Sequence, residues 1–276
     1  KFAIKLAKKI KGEIINADSM QVYKDLRILT ARPIKKEYKK IKHHLYGFQS
    51  VKNKFSAGKW LKLANEKIVL IKKRKKIPIL VGGTGLYFKA LTDGLVKIPN
   101  IPSKFRNKIR NLQKKIGQKK FYKQLLKLDP LIKDKINPTD VQRSIRTFEI
   151  KSFTKKSLVD WFKNTKSKYT DEEFIKIYID FPREDLLDII STRVDKMFKE
   201  GAIEEVKKFL RINLRKDNSV NKVIGINEIN DFLNKKYDLK QTKEKITIKT
   251  RQYAKRQSTW ARGQMMNWQK VNPKDL

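Results

Sequence analysis

Residues 12–24 read Gly-Glu-Ile-Ile-Asn-Ala-Asp-Ser-Met-Gln-Val-Tyr-Lys, a short apolar run that ends on Asp18 and continues through Ser19 and Gln21. In an open parallel sheet, ligands bind beyond the carboxyl ends of the strands. A carboxylate there can act as a general base or accept a hydrogen bond from a substrate amine. Asp followed by Ser is also a common helix N-cap, so the local pattern alone leaves both readings open. A second strand end, Ile77-Pro-Ile-Leu-Val81, runs into Gly82-Gly83-Thr84-Gly85. Such glycines let backbone N–H groups approach a phosphate at a helix N-terminus, or simply form a tight turn. No Lys follows them, so they do not complete a G-x-x-x-x-G-K-[ST] phosphate loop.

Two further clusters carry cations at helical spacing. Gln142-Arg143-Ser144-Ile145-Arg146 sets Arg143 and Arg146 three apart, neighbours on one face, after a capping stretch at 137–140. Paired Arg suit a diphosphate or an RNA backbone. The alternative is a solvated face in which Glu149 partners Arg146. Near the end, Ile246, Thr250, Tyr253, Gln257 and Trp260 share one seam, while Arg251, Lys255 and Arg262 line another. Aromatics between cations fit RNA, where stacking and phosphate contact act together. His43 and His44 are adjacent and cannot share a helix face; they are read as local packing with no chemistry.

The elements that must position these groups follow from periodicity. Apolar residues at 2, 3, 6, 7 and 10 predict a helix, and Gly12 can stop it before a buried strand over 13–17. Residues 30–55 are irregular. A basic amphipathic helix over 56–76 leads to the strand at 77–81, and another helix follows Gly85. This β-α-β rhythm predicts a parallel sheet with right-handed crossovers. From Ser103 to about Asp171 only basic helical patterns occur, broken at Asp129-Pro130 and Asn137-Pro138, so this stretch reads as a helical insertion. The alternating run at 174–180 returns to the sheet, and Pro182 opens a long helix to about Gly201. A helix over 203–210, a loop over 213–221 and a helix over 242–262 complete the chain.

Composition narrows the function classes. The 276 residues hold no Cys and only two His, which leaves thiolate sites and disulfides out and a His-based metal site poorly supplied. Metal ligands cannot be named from the sequence. No apolar run approaches the roughly 20 residues of a membrane helix, and the first residues lack a signal-peptide core. A cytoplasmic monomer with no membrane partner is expected. The net charge of +40 includes only 14 Arg, so the excess is mostly Lys. Coding bias can produce part of that, yet a field of this sign attracts polyanions, nucleic acid first among them. The chain begins on Lys1 and its first Met is Met20, so a fragment of a longer protein is expected.

Taken in order, residues 16–24, Thr30-Ala-Arg-Pro33, His44-Leu45, residues 77–88, 140–146 and 250–257 resemble the tRNA dimethylallyltransferase (isopentenyltransferase) family. The resemblance spans nearly the whole chain. It implies transfer of a dimethylallyl group from dimethylallyl diphosphate to N6 of the adenosine at tRNA position 37, beside the anticodon in tRNAs reading codons that begin with U. It also implies a P-loop-NTPase-like α/β core, a parallel sheet flanked by helices, over 1–100 and 172–276. An all-helical insertion over 101–171 would then grip the anticodon stem-loop.

By the same resemblance Asp18 takes the N6 proton and Thr84 lies near the reacting diphosphate oxygen. Gly83, Thr84 and Arg146 bind diphosphate, and Mg²⁺ is the cofactor. The tRNA contacts implied are Asp18, Ser19, Met20, Gln21, Arg106, Gln142, Arg143, Ser144, Ile145, Arg146, Arg251, Lys255 and Arg256. The family's opening phosphate loop has no counterpart here, so little transferase activity is expected of the chain alone. Leu29 replaces a usual Gly, and Ile226-Asn227 a usual Gly-Tyr-basic pattern. Adenylate isopentenyltransferase and a non-catalytic RNA-binding remnant share some of these motifs. The basic insertion argues against the first, because a free nucleotide does not need it.

Overall fold

The computed structural model describes residues 2–215 and 218–275. Lys1, and residues 216–217 of the loop expected over 213–221, lie outside that range. In chain order the elements are α1 (Phe2–Lys9), β1 (Gly12–Asn16), β2 (His43–His44), α2 (Ala57–Lys73), β3 (Ile77–Val81) and α3 (Gly85–Thr92). Then come α4 (Ser103–Leu128), α5 (Val141–Thr154) and α6 (Leu158–Lys163), followed by β4 (Ile177–Ile179) and α7 (Arg183–Lys199). The last are α8 (Ala202–Leu210), α9 (Ile226–Leu233), α10 (Leu239–Gln264) and β5 (Gln269–Val271). The chain divides into two compact units: Lys1–Ala90 with Asp171–Leu276, and Leu91–Thr170.

The first unit is α/β. Its sheet runs β2-β1-β3, all parallel, with Ile14 opposite both His43 and Ile79. β1 lies in the middle and every residue of it is buried. A parallel strand covered on both faces needs such a continuous buried run. Helix α2 lays Trp60, Ala64, Ile68 and Ile71 inward, the stripe an amphipathic helix offers to a sheet. β4 and β5 form a second, two-stranded parallel pair. β2 and β5 were not foreseen: pairings of two and three residues are too short for a legible periodicity.

Glu13 sits inside β1 at 1% exposure, yet it is not a stranded charge. His44 Nε2 lies 2.7 Å and Arg74 Nη2 2.6 Å from its Oε2, and Lys76 Nζ lies 3.3 Å from Oε1. This pairing gives His44 a structural role; His43 stacks on Tyr38 with ring centroids 4.0 Å apart. Burial pushes the Glu13 carboxyl up, but the hydrogen bond from His44 and the nearby Lys76 and Arg74 charges outweigh it, holding the group below its ordinary value. A carboxylate more acidic folded than unfolded stabilises the fold above the unfolded pKa, and that stability fades as pH falls through the folded value. Acidification below about pH 4.5 is therefore expected to lower the melting temperature, and Glu13→Gln to flatten that part of the profile. At neutral pH the substitution is expected to cost about 2 kcal/mol in denaturant titration.

The second unit contains only helices among its described residues. Helix α4 is broken at Gly117, whose φ of 73° and ψ of 164° belong to a region essentially reserved for glycine. On either side, Ile109 and Phe121 pack with Ile145, and Tyr122 and Leu125 pack with Ile132 and Ile136. A Cβ at Gly117 would meet nothing within 4 Å, so the constraint is backbone geometry and not space. Gly117→Ala is expected to destabilise the protein by about 1–3 kcal/mol, read as a lower denaturant midpoint.

Candidate active site at the carboxyl end of the central strand

Several contacts hold the end of β1 in place. Trp60 is fully buried, donates its indole N–H to the Asn16 carbonyl at 2.8 Å, and stacks on Tyr87 with centroids 4.2 Å apart. Asn16 uses its side chain to cross-link the turn. Its Nδ2 donates to the carbonyls of Asp18 and Leu45, both at 3.0 Å, and its Oδ1 accepts the Asp18 N–H at 2.9 Å. The β3 turn is joined to the same point: Ala17 N–H donates to Val81 O at 2.8 Å and Thr84 N–H to Ala17 O at 3.2 Å. Gly82 allows this approach, since a Cβ there would stand 2.2 Å from the Ala17 carbonyl carbon.

Asp18 is thus delivered to a defined place beside two hydroxyls. Its Oδ1 accepts the N–H groups of Met20 at 2.8 Å and Gln21 at 3.3 Å. Thr84 Oγ1 accepts the Ser19 N–H at 2.9 Å and lies 3.2 Å from Ser19 Oγ. Burial raises the Asp18 carboxyl above its ordinary value, against the opposing pull of the two backbone N–H groups and of Arg193. Tyr46, Tyr87 and Tyr253 each feel the Asp18 charge, after a larger effect of burial, and each phenol is raised. A half-buried carboxylate with raised basicity, adjoining hydroxyls and one guanidinium, can take a proton from an amine and favour a departing anion.

Helix α10 closes over the glycine turn. Gln257 Nε2 donates to Gly83 O at 2.8 Å, and the Trp260 ring stands where a Cβ of Gly85 would be. Ile246 of its seam is buried, while Tyr253 keeps 38% exposure and Arg256 lies 5.6 Å over its ring. Arg251, Lys255, Arg256 and Arg262 are exposed.

The sequence-predicted positions thus occupy two units. Asp18, Ser19, Gly83 and Thr84 come together at the strand ends of the first. Met20 packs against the apolar core that includes Val22, Leu26 and Ile246, and Gln21 Nε2 donates to Thr30 O at 2.9 Å. Leu29 is buried in that core too, and its backbone is not left-handed; the left-handed residue of this turn is Ala31 at φ 48°. Glu205 holds the segment by accepting the N–H groups of Arg27, Ile28 and Leu29. Ile226, the other departure, is buried in the same core.

The second unit carries Arg106, Gln142, Arg143 and Arg146 at or near its surface. Asp140 caps α5 through the Arg143 N–H at 2.9 Å and pairs with the Arg143 side chain at 3.1 Å. Ser144 and Ile145 point inward: Ser144 Oγ accepts Gln118 Nε2 at 3.1 Å, and Ile145 packs on Ile109 and Phe121. Contact through those two side chains is therefore not offered by this surface.

Sequence reasoning missed Arg193, Tyr46 and Tyr87 as neighbours of Asp18. Among the described residues no cluster of three or more His, Asp or Glu side chains is arranged to hold a metal.

A family model described as IPP transferase matches residues 21–264. The tRNA dimethylallyltransferase of Pelagibacter ubique (strain HTCC1062) is 62% identical over 272 residues, covering 99% of this chain and 87% of that protein. The tRNA dimethylallyltransferase of Rickettsia massiliae (strain Mtu5) is 44% identical over 263 residues, covering 95% and 72%. Among solved structures, the full-length tRNA isopentenylpyrophosphate transferase from Bacillus halodurans matches with a TM-score of 0.68 at 30% identity, covering 99% of this chain and 85% of that one. A eukaryotic dimethylallyltransferase described as acting on tRNA matches with a TM-score of 0.81 at 32% identity, covering 94% and 65%.

Proposed function

The chain belongs to the IPP transferase family, and on that premise we propose that it is a tRNA dimethylallyltransferase. It transfers a dimethylallyl group from dimethylallyl diphosphate to N6 of the adenosine at tRNA position 37, in tRNAs reading codons that begin with U. The observation that carries this reading is Asp18, a carboxyl of raised pKa fixed at the end of β1 beside the Ser19 and Thr84 hydroxyls. The N6 nitrogen forms a bond to the first allyl carbon as the carbon–oxygen bond to diphosphate breaks, and Asp18 accepts the displaced amine proton. An amine on a purine ring is a weak nucleophile, so removing that proton as the bond forms lowers the barrier directly.

Diphosphate leaves well only when its charge is met. Gly83 N–H, Thr84 and Arg193 are the groups we assign to it. Mg²⁺ is the proposed ion, and its fit is partial. Mg²⁺ takes few protein ligands, mostly oxygens, alongside substrate phosphates and water. The Ser19 and Thr84 hydroxyls would supply such oxygens, and the ion, when bound, neutralises phosphate charge.

The helical unit, through Arg106, Gln142, Arg143 and Arg146, and α10, through Arg251, Lys255 and Arg256, grip the anticodon stem-loop. Residues 18–21 adjoin the target base, which leaves its stack at a cost of a few kcal/mol that phosphate contacts offset. A tRNA substrate is in keeping with work in the cytoplasm, and a monomer is the proposed form. No G-x-x-x-x-G-K-[ST] loop occurs in this sequence, so transfer by these residues alone is expected to be slow and to rise when such a loop is supplied.

The test is label transfer from dimethylallyl diphosphate to an anticodon stem-loop RNA, measured with and without a supplied phosphate loop, and with free AMP as the competing acceptor. Label in the RNA supports the proposal. Label only in AMP points to an adenylate isopentenyltransferase, and RNA binding with no transfer under either condition to a non-catalytic binder.

A further inference from the structure

In the helical unit, one carboxylate is surrounded by three guanidiniums from two helices. Glu149 on α5 is 1% exposed, while the side chains of Arg106 and Arg110 on α4 and Arg146 on α5 keep 39%, 39% and 40% of their surface. Glu149 Oε2 receives Arg106 Nε at 3.1 Å and Arg146 Nη1 at 3.2 Å. Among the described residues its Oε1 meets Arg110 Nε alone, at 3.6 Å, and accepts no hydrogen bond. The acceptor is thus inside, and the donors lie half in and half out around it. Three guanidiniums to one carboxylate leave two positive charges in excess, with most of their N–H groups uncommitted. One turn beyond Glu149, Phe153 is 39% exposed and meets Phe105 edge-on at 5.5 Å.

We propose that Glu149 is a positioning residue that holds Arg106, Arg110 and Arg146 as one clamp for a backbone phosphate of RNA, with Arg110 as the arm that closes on the ligand. A guanidinium fork matches phosphate oxygens only when its plane is fixed. A buried carboxylate at the root of three forks fixes them in advance, so less side-chain freedom is lost on binding. Arg110 is the arm that moves because charge alone holds it, and Glu149 Oε1 is free to accept its Nε–H as it swings. The exposed Phe153 ring beside the cations is the combination RNA loops favour. The inference rests on the RNA-modifying reading above, and its test separates the two.

The experiment uses the full chain and a synthetic anticodon stem-loop RNA, with affinity measured by fluorescence anisotropy over a series of KCl concentrations. Glu149→Gln makes the surface one charge more positive. If Glu149 only neutralises its neighbours, the variant binds RNA more tightly; if it positions them, the variant binds about 10-fold more weakly despite its extra charge. Arg110→Lys keeps the charge and loses the fork. It is expected to weaken binding several-fold with an unchanged salt slope and an unchanged melting temperature, while Arg110→Ala lowers the slope by about one.

Tighter binding by Glu149→Gln, or wild-type affinity in Arg110→Lys at every salt concentration, overturns the clamp. Should Glu149→Gln fail to fold, Arg110→Lys decides alone. A wild-type chain that binds no RNA overturns the functional reading and the clamp with it. Wild-type binding with unaltered variants overturns the clamp only.

Discussion

Asp18→Asn is expected to lower the turnover rate about 10²–10⁴-fold while leaving the fold and the affinity for RNA close to wild type. The two consequences separate because Asp18 has two functions in the structure. Its Oδ1 accepts the Met20 and Gln21 N–H groups and so shapes the turn after β1. An amide oxygen can keep both bonds, but Asn has no basicity with which to take the N6 proton. Asp18→Ala removes both functions, and the lost acceptor adds about 1–2 kcal/mol of destabilisation.

The pH dependence follows in sign from the same group. Burial, opposed by the two N–H groups and Arg193, raises the Asp18 pKa, and only the ionised form accepts a proton. Turnover should therefore climb as pH rises through that elevated value and then level off, while any residual rate of Asp18→Asn shows no such limb. Single-turnover rates from pH 5 to 8 would decide it: an Asn variant with wild-type turnover ends the assignment of Asp18 as base.

Gly82→Ala is the second large effect, and its neighbour provides the control. A Cβ on Gly82 would stand 2.2 Å from Ala17 C, 2.3 Å from Ala17 O and 2.6 Å from Asp18 N, all of them backbone atoms. These atoms cannot rotate away, because the Ala17–Val81 and Thr84–Ala17 hydrogen bonds join the two strand ends at this point. The substitution must part Thr84 from Asp18, at about 1–3 kcal/mol of stability. A displacement near 1 Å at the reacting groups is worth about 10²-fold in rate. Gly83→Ala meets only the end of the Gln257 side chain, 2.2 Å from Nε2, which can turn aside. It should lose the Gln257–Gly83 bond and change turnover only a few-fold. Equal effects of the two substitutions on rate and on melting temperature would refute the argument.

The core of the site was legible because its grammar is local. A strand-end carboxylate and a second strand end running into glycines can each be read from a few residues, and the structure brings Asp18, Ser19 and Thr84 together. Arg193 was not legible, because a lone Arg among charged neighbours on a long helix looks like any solvated residue until the fold sets that face beside Asp18. Tyr46 lies in a stretch whose strand is two residues long, so no period marked it. Glu149 was visible as a partner of Arg146 three residues away. Its pairing with Arg106 and Arg110 depends on α4 lying beside α5, which no spacing within α5 reveals. Ile145 lay within a cation-bearing motif, but helical geometry turned it to the opposite, apolar side.

Gly117 has a practical consequence. The chain there turns in open space, so extra residues at that point would lengthen an exposed bend without displacing the packed side chains before and after it. It is the natural insertion point for a spectroscopic label or an affinity handle. β1 allows no such freedom. One added residue would reverse the facing of every side chain after it, expel Glu13 or Ile14 from its place, and put a different residue where Asp18 now stands.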